Sequence, residues 1–323
     1  RISIGFGKPL IQWKSRNGCE WVWAMWPLGG YVHLLNSRIS PVPKEKLPLC
    51  FDKKPLSVRV GILLAGAAAN LFTAWIGFSL VFFIGLKYQP LFIEAIAHGS
   101  PAYQAGLQSG QQIVAIGGNA TETFSDVGMR LIQFWGNSQV KITVKTADGL
   151  MATKVFDLSK IQFVSDNKNL LSSLGITPNI QAPIQIKQFP KVASAVYQGI
   201  LWIIKVSYFF LIILKQLVAG IIPFSLLLGP IGLFVSSIDS FTQGLTVYLY
   251  FISNLSVAVA LINLFPIPGL DGGSILYVFI EKIRRKPLSV AAEVLAYRLL
   301  FILFCVLLVQ LLMNDLTRYL KPH

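Results

Sequence analysis

Histidine, cysteine and acidic residues are scarce in this chain of 323 residues, and each shortage excludes something. The three cysteines, Cys19, Cys50 and Cys305, lie far apart with no CxxC-type spacing, so neither a disulfide framework nor a cysteine zinc site is indicated. The three histidines, His33, His98 and His323, are equally isolated, and none makes an HxxxH pair. Only 13% of residues are charged against 54% hydrophobic, which is the composition of a membrane protein rather than a soluble one. The charge that remains is one-sided: 28 Lys and Arg face 14 Asp and Glu, for a formal net charge of +14. No basic patch is interleaved with aromatics. The surplus therefore points to cytoplasmic loops against anionic membrane lipid, not to nucleic acid. The chain starts at Arg1 rather than Met, with no signal sequence before it, and so reads as a fragment or a trimmed product.

Against this background one carboxylate stands out. No charge occurs from Ser240 to Leu270, and Asp271 is the only acid between Asp239 and Glu281. It sits in Asn263-Leu-Phe-Pro-Ile-Pro-Gly-Leu-Asp-Gly-Gly273, where prolines and glycines predict a broken helix. A carboxylate in a membrane-grade segment is costly and by default marks a functional site, while broken backbone at that depth needs protein or a water-filled cavity around it. An acid so placed suits a metal ligand or a proton relay. The structural alternative is a cap that accepts from the N–H groups of Gly273 and Ser274. Asn263 is read either as a donor to substrate backbone or a developing oxyanion, or as an amide satisfying carbonyls freed by Pro266.

This Asn-x-x-Pro-x-Pro-x-Leu-Asp-Gly-Gly pattern resembles the second metal motif of the site-2 proteases, the zinc-dependent intramembrane metalloproteases. Further stretches extend the resemblance to the bacterial RseP type. Ser3-Ile-Gly-Phe-Gly7 and Pro27-Leu-Gly-Gly-Tyr-Val32 match the start and end of a membrane-re-entrant β-loop; Ala65-Gly-Ala-Ala-Ala-Asn70 matches a helix motif that has a proline where Ala67 stands here; and Gly229-Pro-Ile-Gly232 matches a family turn. The resemblance implies that Asp271 is the third zinc ligand and that the β-loop, with Gly29, Gly30 and Tyr31, receives the substrate's transmembrane segment as an added strand. The other two ligands and the general base belong, in that family, to a His-Glu-x-x-His helix. That motif occurs nowhere in these residues, so the chain as it stands is expected to be inactive. Relatives carry it just before the Ser-Ile-Gly-Phe-Gly stretch, and the expectation is that it precedes Arg1. A degenerate motif would instead leave a pseudoprotease, a membrane scaffold working through its soluble domain.

The expected fold is a mainly α-helical polytopic membrane protein with a membrane-associated β-hairpin region and an inserted α+β PDZ domain. Residues 1–59, with ten Lys and Arg against three Asp and Glu, form the cytoplasmic or re-entrant β-loop region. Residues 60–86 form a charge-free transmembrane helix that starts on the cytoplasmic side, after Lys53, Lys54 and Arg59. Within it Asn70 reads as an interhelical hydrogen-bonder. Residues 88–157 carry Ser100-Pro-Ala-x-x-Ala-Gly-Leu-x-x-Gly110-x-x-Ile-Val-x-Ile116-x-Gly118, which resembles a PDZ core, with Ala105, Gly106 and Leu107 assigned to a peptide groove. Residues 158–190 are a polar connector. Residues 191–240 are read as an interfacial helix and a Gly-Pro loop, because Lys205, Lys215 and the mid-segment prolines disfavour crossing. A transmembrane segment at 245–280 carries the Asp271 motif, and 294–313 is the C-terminal transmembrane helix.

The resemblance further implies zinc as cofactor and location in the bacterial inner membrane, with the PDZ domain outside the cytoplasm. The implied substrates are single-span membrane proteins such as anti-sigma factors, and signal-peptide remnants.

Overall fold

The computed structural model describes residues 1–16, 18–159, 161, 170–286 and 289–320. Two long strands come first, β1 (Ile2–Lys14) and β2 (Glu20–Val32), then the helix α1 (Leu56–Ile84). An α+β stretch follows: β3 (Leu86–Tyr88), β4 (Ile93–Ile96), α2 (Pro101–Gln104), β5 (Gln112–Ile116), β6 (Asn119–Ala120), α3 (Phe124–Phe134), β7 (Val140–Lys145), β8 (Met151–Phe156), α4 (Leu170–Ser173), β9 (Ile176–Pro178) and β10 (Gln185–Lys187). The rest is helical: α5 (Val192–Val218), α6 (Pro230–Thr242), α7 (Leu245–Leu264), α8 (Asp271–Arg284) and α9 (Val290–Leu320). The chain divides into two compact units, residues 1–65 with 266–293, and residues 66–265 with 294–323.

In the first unit β1 and β2 form a ribbon folded back on itself by bulges. Ile2 and Ser3 have a neighbour on each side, Val32 and Tyr31 on one and Trp21 and Val22 on the other. Farther out, Ile11, Gln12 and Trp13 pair with Trp23, Val22 and Trp21. Val22 and Ala24 are buried, while Phe6, Ile11, Trp13, Trp23, Trp26 and Val32 are exposed. So apolar a surface suits lipid better than water. Asp52 accepts from the N–H and hydroxyl of Ser37, pinning the segment that leads to α1. Arg59, in the first turns of α1, donates to Glu281 of α8 at 3.0 Å.

The second unit has two cores. One belongs to the α+β module, whose sheet runs β6-β5-β7-β8 with β4 paired to β9. The strict alternation along Val140-Lys-Ile-Thr-Val-Lys145 puts Val140, Ile142 and Val144 inward. Leu158, Leu171, Leu174 and Ile176 also lie in this core, so the module extends to β9, beyond the expected boundary at 157. Leu158 and the 170–178 stretch of the expected connector are therefore part of it.

The second core lies among α1, α5 and α7, around Phe78, Phe82, Trp202 and Val257. Here Gly77 lets α7 approach: a β-carbon at that position would collide with the Ser253 hydroxyl. The small-residue run Ala65–Ala69 has only Ala67 buried, and Asn70, read as an interhelical hydrogen-bonder, makes no side-chain hydrogen bond among the described residues. Matched positions give the sense of each helix. Tyr250 meets Phe78 and Ser253 meets Gly77, so α7 runs against α1. Trp75 donates to the Val196 carbonyl, Ser79 abuts Gly199 and Phe82 stacks edge-on to Trp202, so α5 advances with α1.

By length and composition five segments could cross a membrane: Leu56–Ile84, Val192–Val218, Phe224–Thr242, Leu245–Leu264 and Val290–Tyr319. The apolar window of the last has no residue buried in the protein, as expected of a helix facing lipid. One departure from expectation concerns 191–240. Gly229-Pro230, read as part of a loop, starts α6, with Pro230 at the first helical position, where the missing N–H costs nothing. In α5 the Lys205 ammonium pairs with Asp126 of α3 and lies 4.2 Å from the centre of the Trp202 ring.

Candidate active site

Asp271 opens α8. The helix α7 stops at Leu264, and Pro266 and Pro268 cannot continue it because neither supplies a backbone N–H. Gly269 takes φ +90°, a conformation that favours glycine, and Leu270 is extended, its N–H donating to the Ile267 carbonyl at 3.1 Å. The break expected from the motif is thus a compact turn between two helices. Gly272 and Gly273 are buried behind it. A β-carbon at Gly273 would fall on the Ile267 carbonyl and within 2.9 Å of the Pro268 nitrogen, so the turn lies directly on the first turn of α8. That close approach is why the acid is followed by glycines.

The result is a carboxylate displayed at a helix N-terminus, partly exposed, with no hydrogen bond or ion pair among the described residues. The capping alternative is not realised: the Ser274 N–H goes to the Leu270 carbonyl at 3.0 Å. Asn263 lies in the last turn of α7, and its amide also makes no hydrogen bond among the described residues, so it is not spent on carbonyls freed at Pro266.

In the ribbon, Gly29 has φ +135° and Gly30 lies where a β-carbon would be 2.5 Å from the Ser3 carbonyl oxygen. Tyr31 is exposed and stacks on Phe6, ring centres 6.1 Å apart. Residues 30–32 pair with Ile2–Ile4 on one side and have no registered strand on the other among the described residues, which leaves an open edge.

The third group of predicted residues is placed differently. Ala105 caps α2, Gly106 turns the chain at φ +73°, and Leu107 is 3% exposed within the module core. The Leu107 side chain therefore serves packing and is not presented to a peptide.

A zinc ion needs three or four protein donors in tetrahedral array. Asp271 is free to give one. Among the described residues no group of three His, Cys, Asp or Glu stands close enough to hold a metal, so these residues do not make a zinc site by themselves.

Sequence reasoning missed three polar contacts. Arg59–Glu281 and Lys205–Asp126 join residues too far apart in sequence to be matched by pattern. Asp315 of α9, fully buried, accepts from the Gly229 and Gly232 N–H groups, each at 2.9 Å, and so caps α6. Only the Thr123-x-x-Asp126 capping box at the start of α3 had a local signature.

The fold and motif together define a multi-pass membrane protein of a metalloprotease class, and comparison with known proteins makes the assignment specific. The family model of peptidase family M50 matches residues 1–307, and the chain belongs to that family, among site-2 proteases of the RseP type. It is 27% identical to protease RseP of Yersinia pestis, covering 98% of this chain and 91% of that one. It is 26% identical to the regulator of sigma-E protease RseP of Escherichia coli K12, with the same coverage. A Brucella suis protein named as a zinc metalloprotease is 29% identical, covering 98% and 86%. The E. coli alignment runs over 411 positions, more than the 323 residues here, so that relative carries segments with no counterpart in this chain.

Proposed function

We propose that this chain supplies the acidic zinc ligand and the substrate-holding ribbon of an intramembrane metalloendopeptidase that cuts single-span membrane proteins. The observation that carries the reading is Asp271: a carboxylate at a helix start, backed by buried glycines and committed to no partner among the described residues. Zinc, when bound, lowers the pKa of a coordinated water toward about 7 and makes it a nucleophile. Two further ligands and a general base are required, and the family places them in a His-Glu-x-x-His helix outside these residues. The open edge at Gly30–Val32 takes the substrate as an extended strand, with Gly29, Gly30 and Tyr31 beside it. Asn263, at the end of α7, is assigned separately as a donor to substrate backbone. Anti-sigma factors and signal-peptide remnants are the proposed substrates, the first in keeping with relatives named as regulators of sigma-E proteases.

The α+β module is read as a PDZ domain outside the cytoplasm of a bacterial inner membrane. Three observations support that topology. The helix α7 runs against α1, as a returning span should. The basic start of α1 pairs with the end of α8, as two cytoplasmic ends should. The helix α5 advances with α1 instead of returning beside it, and contacts the module through both Lys205 and Gln216, in keeping with an interfacial helix at the outer end of α1.

The test is Asp271→Asn in the protein expressed from its native gene. Cleavage of a single-span reporter in membranes should be abolished, and zinc content of the purified protein should fall, with the melting temperature unchanged. Unaltered zinc content together with no cleavage in either form would favour the membrane scaffold.

A further inference from the structure

Two basic clusters, separate in sequence, meet at one cavity in the first unit. A cavity of about 370 Å³ is lined by Leu56, Arg59, Val278, Glu281, Lys282 and Arg285. Three cations face one carboxylate. Glu281 pairs with Arg59, and neither Lys282 nor Arg285 has an ion-pair partner among the described residues. The lining therefore carries excess positive charge where the cavity opens.

Arg59 is held for binding rather than left to wander. Its guanidinium lies 5.2 Å from the centre of the Phe51 ring and donates through one terminal nitrogen to Glu281, while its Nε is buried and has no partner among the described residues. A buried N–H that bonds to nothing in the protein is a donor awaiting an acceptor. Arg285 adds a second sign. It is the one non-glycine residue at positive φ among the described residues, φ 55°, at the end of α8, where glycine or asparagine is the usual choice. The strained backbone holds a cation at the cavity wall, and strain of this kind gathers at ligand sites.

We propose that this cavity binds the phosphate of an anionic membrane lipid. Guanidinium and ammonium groups line one cavity, as phosphate recognition requires. The remaining walls, Leu56 and Val278, are apolar. One turn on from Arg59, Ile62 is exposed on the same side of α1, an apolar helix long enough to cross a membrane, so acyl chains can run along it from a headgroup held here. A soluble phosphate would use the cations and leave this apolar surface bare; a glycerophospholipid uses both. Basic pockets between helices at the cytoplasmic face are suited to such headgroups. The proposal is independent of the zinc reading, since none of these residues belongs to the Asp271 turn.

The experiment uses the full chain in detergent, with bound lipid counted by native mass spectrometry. Dioleoyl phosphatidylglycerol should be retained about tenfold more than dioleoyl phosphatidylcholine, and the Lys282→Gln/Arg285→Gly double variant should lose that preference. The second substitution leaves a residue suited to positive φ, and neither touches the Arg59–Glu281 pair, so the melting temperature without lipid serves as the folding control. A Lys44→Gln/Lys46→Gln variant, away from the cavity lining, should keep the preference. Equal retention of the two lipids by the unmodified chain overturns the proposal whatever the variants do. An equal loss in the Lys44/Lys46 variant also overturns it, by showing a diffuse surface effect. Displacement of phosphatidylglycerol by millimolar inorganic phosphate, with no dependence on acyl chains, assigns the cavity to a soluble phosphate and overturns the lipid source.

Discussion

Asp126 in the first turn of α3 and Asp315 of α9 at the start of α6 each serve a helix N-terminus in the larger unit, and both differ from Asp271 at the start of α8. Asp126 accepts from the Thr123 and Glu122 N–H groups and pairs with Lys205. Asp315 accepts from the N–H groups of Gly229 and Gly232 and is fully buried. Asp271 has neither donor nor cation among the described residues and is partly open. The same residue type against a helix N-terminus thus fastens helices in one region and, among the described residues, has no partner in the other. A carboxylate whose oxygens are fully engaged contributes stability; one held rigidly with its oxygens free is available for chemistry, at some cost in stability.

Substitution of each acid sharpens the contrast. Asp271→Asn should reduce cleavage of a single-span reporter at least about a thousandfold, because an amide is a poor zinc ligand, yet leave the thermal midpoint where it was. A large drop in midpoint would show that Asp271 is a structural acid like the others. Asp315→Ala should do the reverse. It strands two buried N–H groups at the start of α6 and should destabilise the protein by about 3 kcal/mol, read as denaturant or thermal midpoint in detergent. Per-molecule activity of the folded fraction should survive. Gly273→Ala tests the scaffold behind the acid. The β-carbon must push the 266–270 turn off α8, and a displacement near 1 Å should lower turnover about a hundredfold while zinc binding weakens less.

How much of this could be read from the sequence follows from the range of each interaction. The helix break at Asp271, the glycine-rich ribbon and the alternating strand at Val140–Lys145 are local, and pattern placed them correctly. The soluble module was placed, but its end was not. The segment from Leu171 to Pro178 looks polar and irregular until Leu171, Leu174 and Ile176 are seen in the core. Leu107 read as a groove residue because the motif is recognisable, but the motif says nothing about which way a side chain points. Lys205 read as a charge that disfavours crossing, and its pairing could not be read because its partner is in α3, in another part of the chain. The Gly229-Pro-Ile-Gly232 turn was noticed, whereas the acid that needs its N–H groups comes in the last helix. Asp271 was legible as a costly charge in an apolar run; that it makes no hydrogen bond or ion pair among the described residues required coordinates.

The weakest and most specific of these tests concerns the Asp126–Lys205 pair. Burial acts to raise the Asp126 pKa, but the Lys205 ammonium and the Thr123 and Glu122 N–H groups outweigh it and hold the carboxyl below its ordinary value of 3.8. A carboxyl whose folded pKa is depressed contributes stability above its unfolded value and loses it as pH falls through the folded one. The pair should therefore hold α5 against the module unchanged from pH 7 to about pH 4 and fail only at more acid pH. Lys205→Met removes the cation and leaves Asp126 in a buried site with its backbone donors alone. The difference in melting temperature between the unmodified protein and this variant cancels the other acids. That difference should be full at pH 7 and shrink as pH falls from the Asp126 pKa of the variant, raised by loss of the cation, to that of the unmodified protein. A difference with no dependence on pH through the acid range would mean that Asp126 does not fasten α5 to the module.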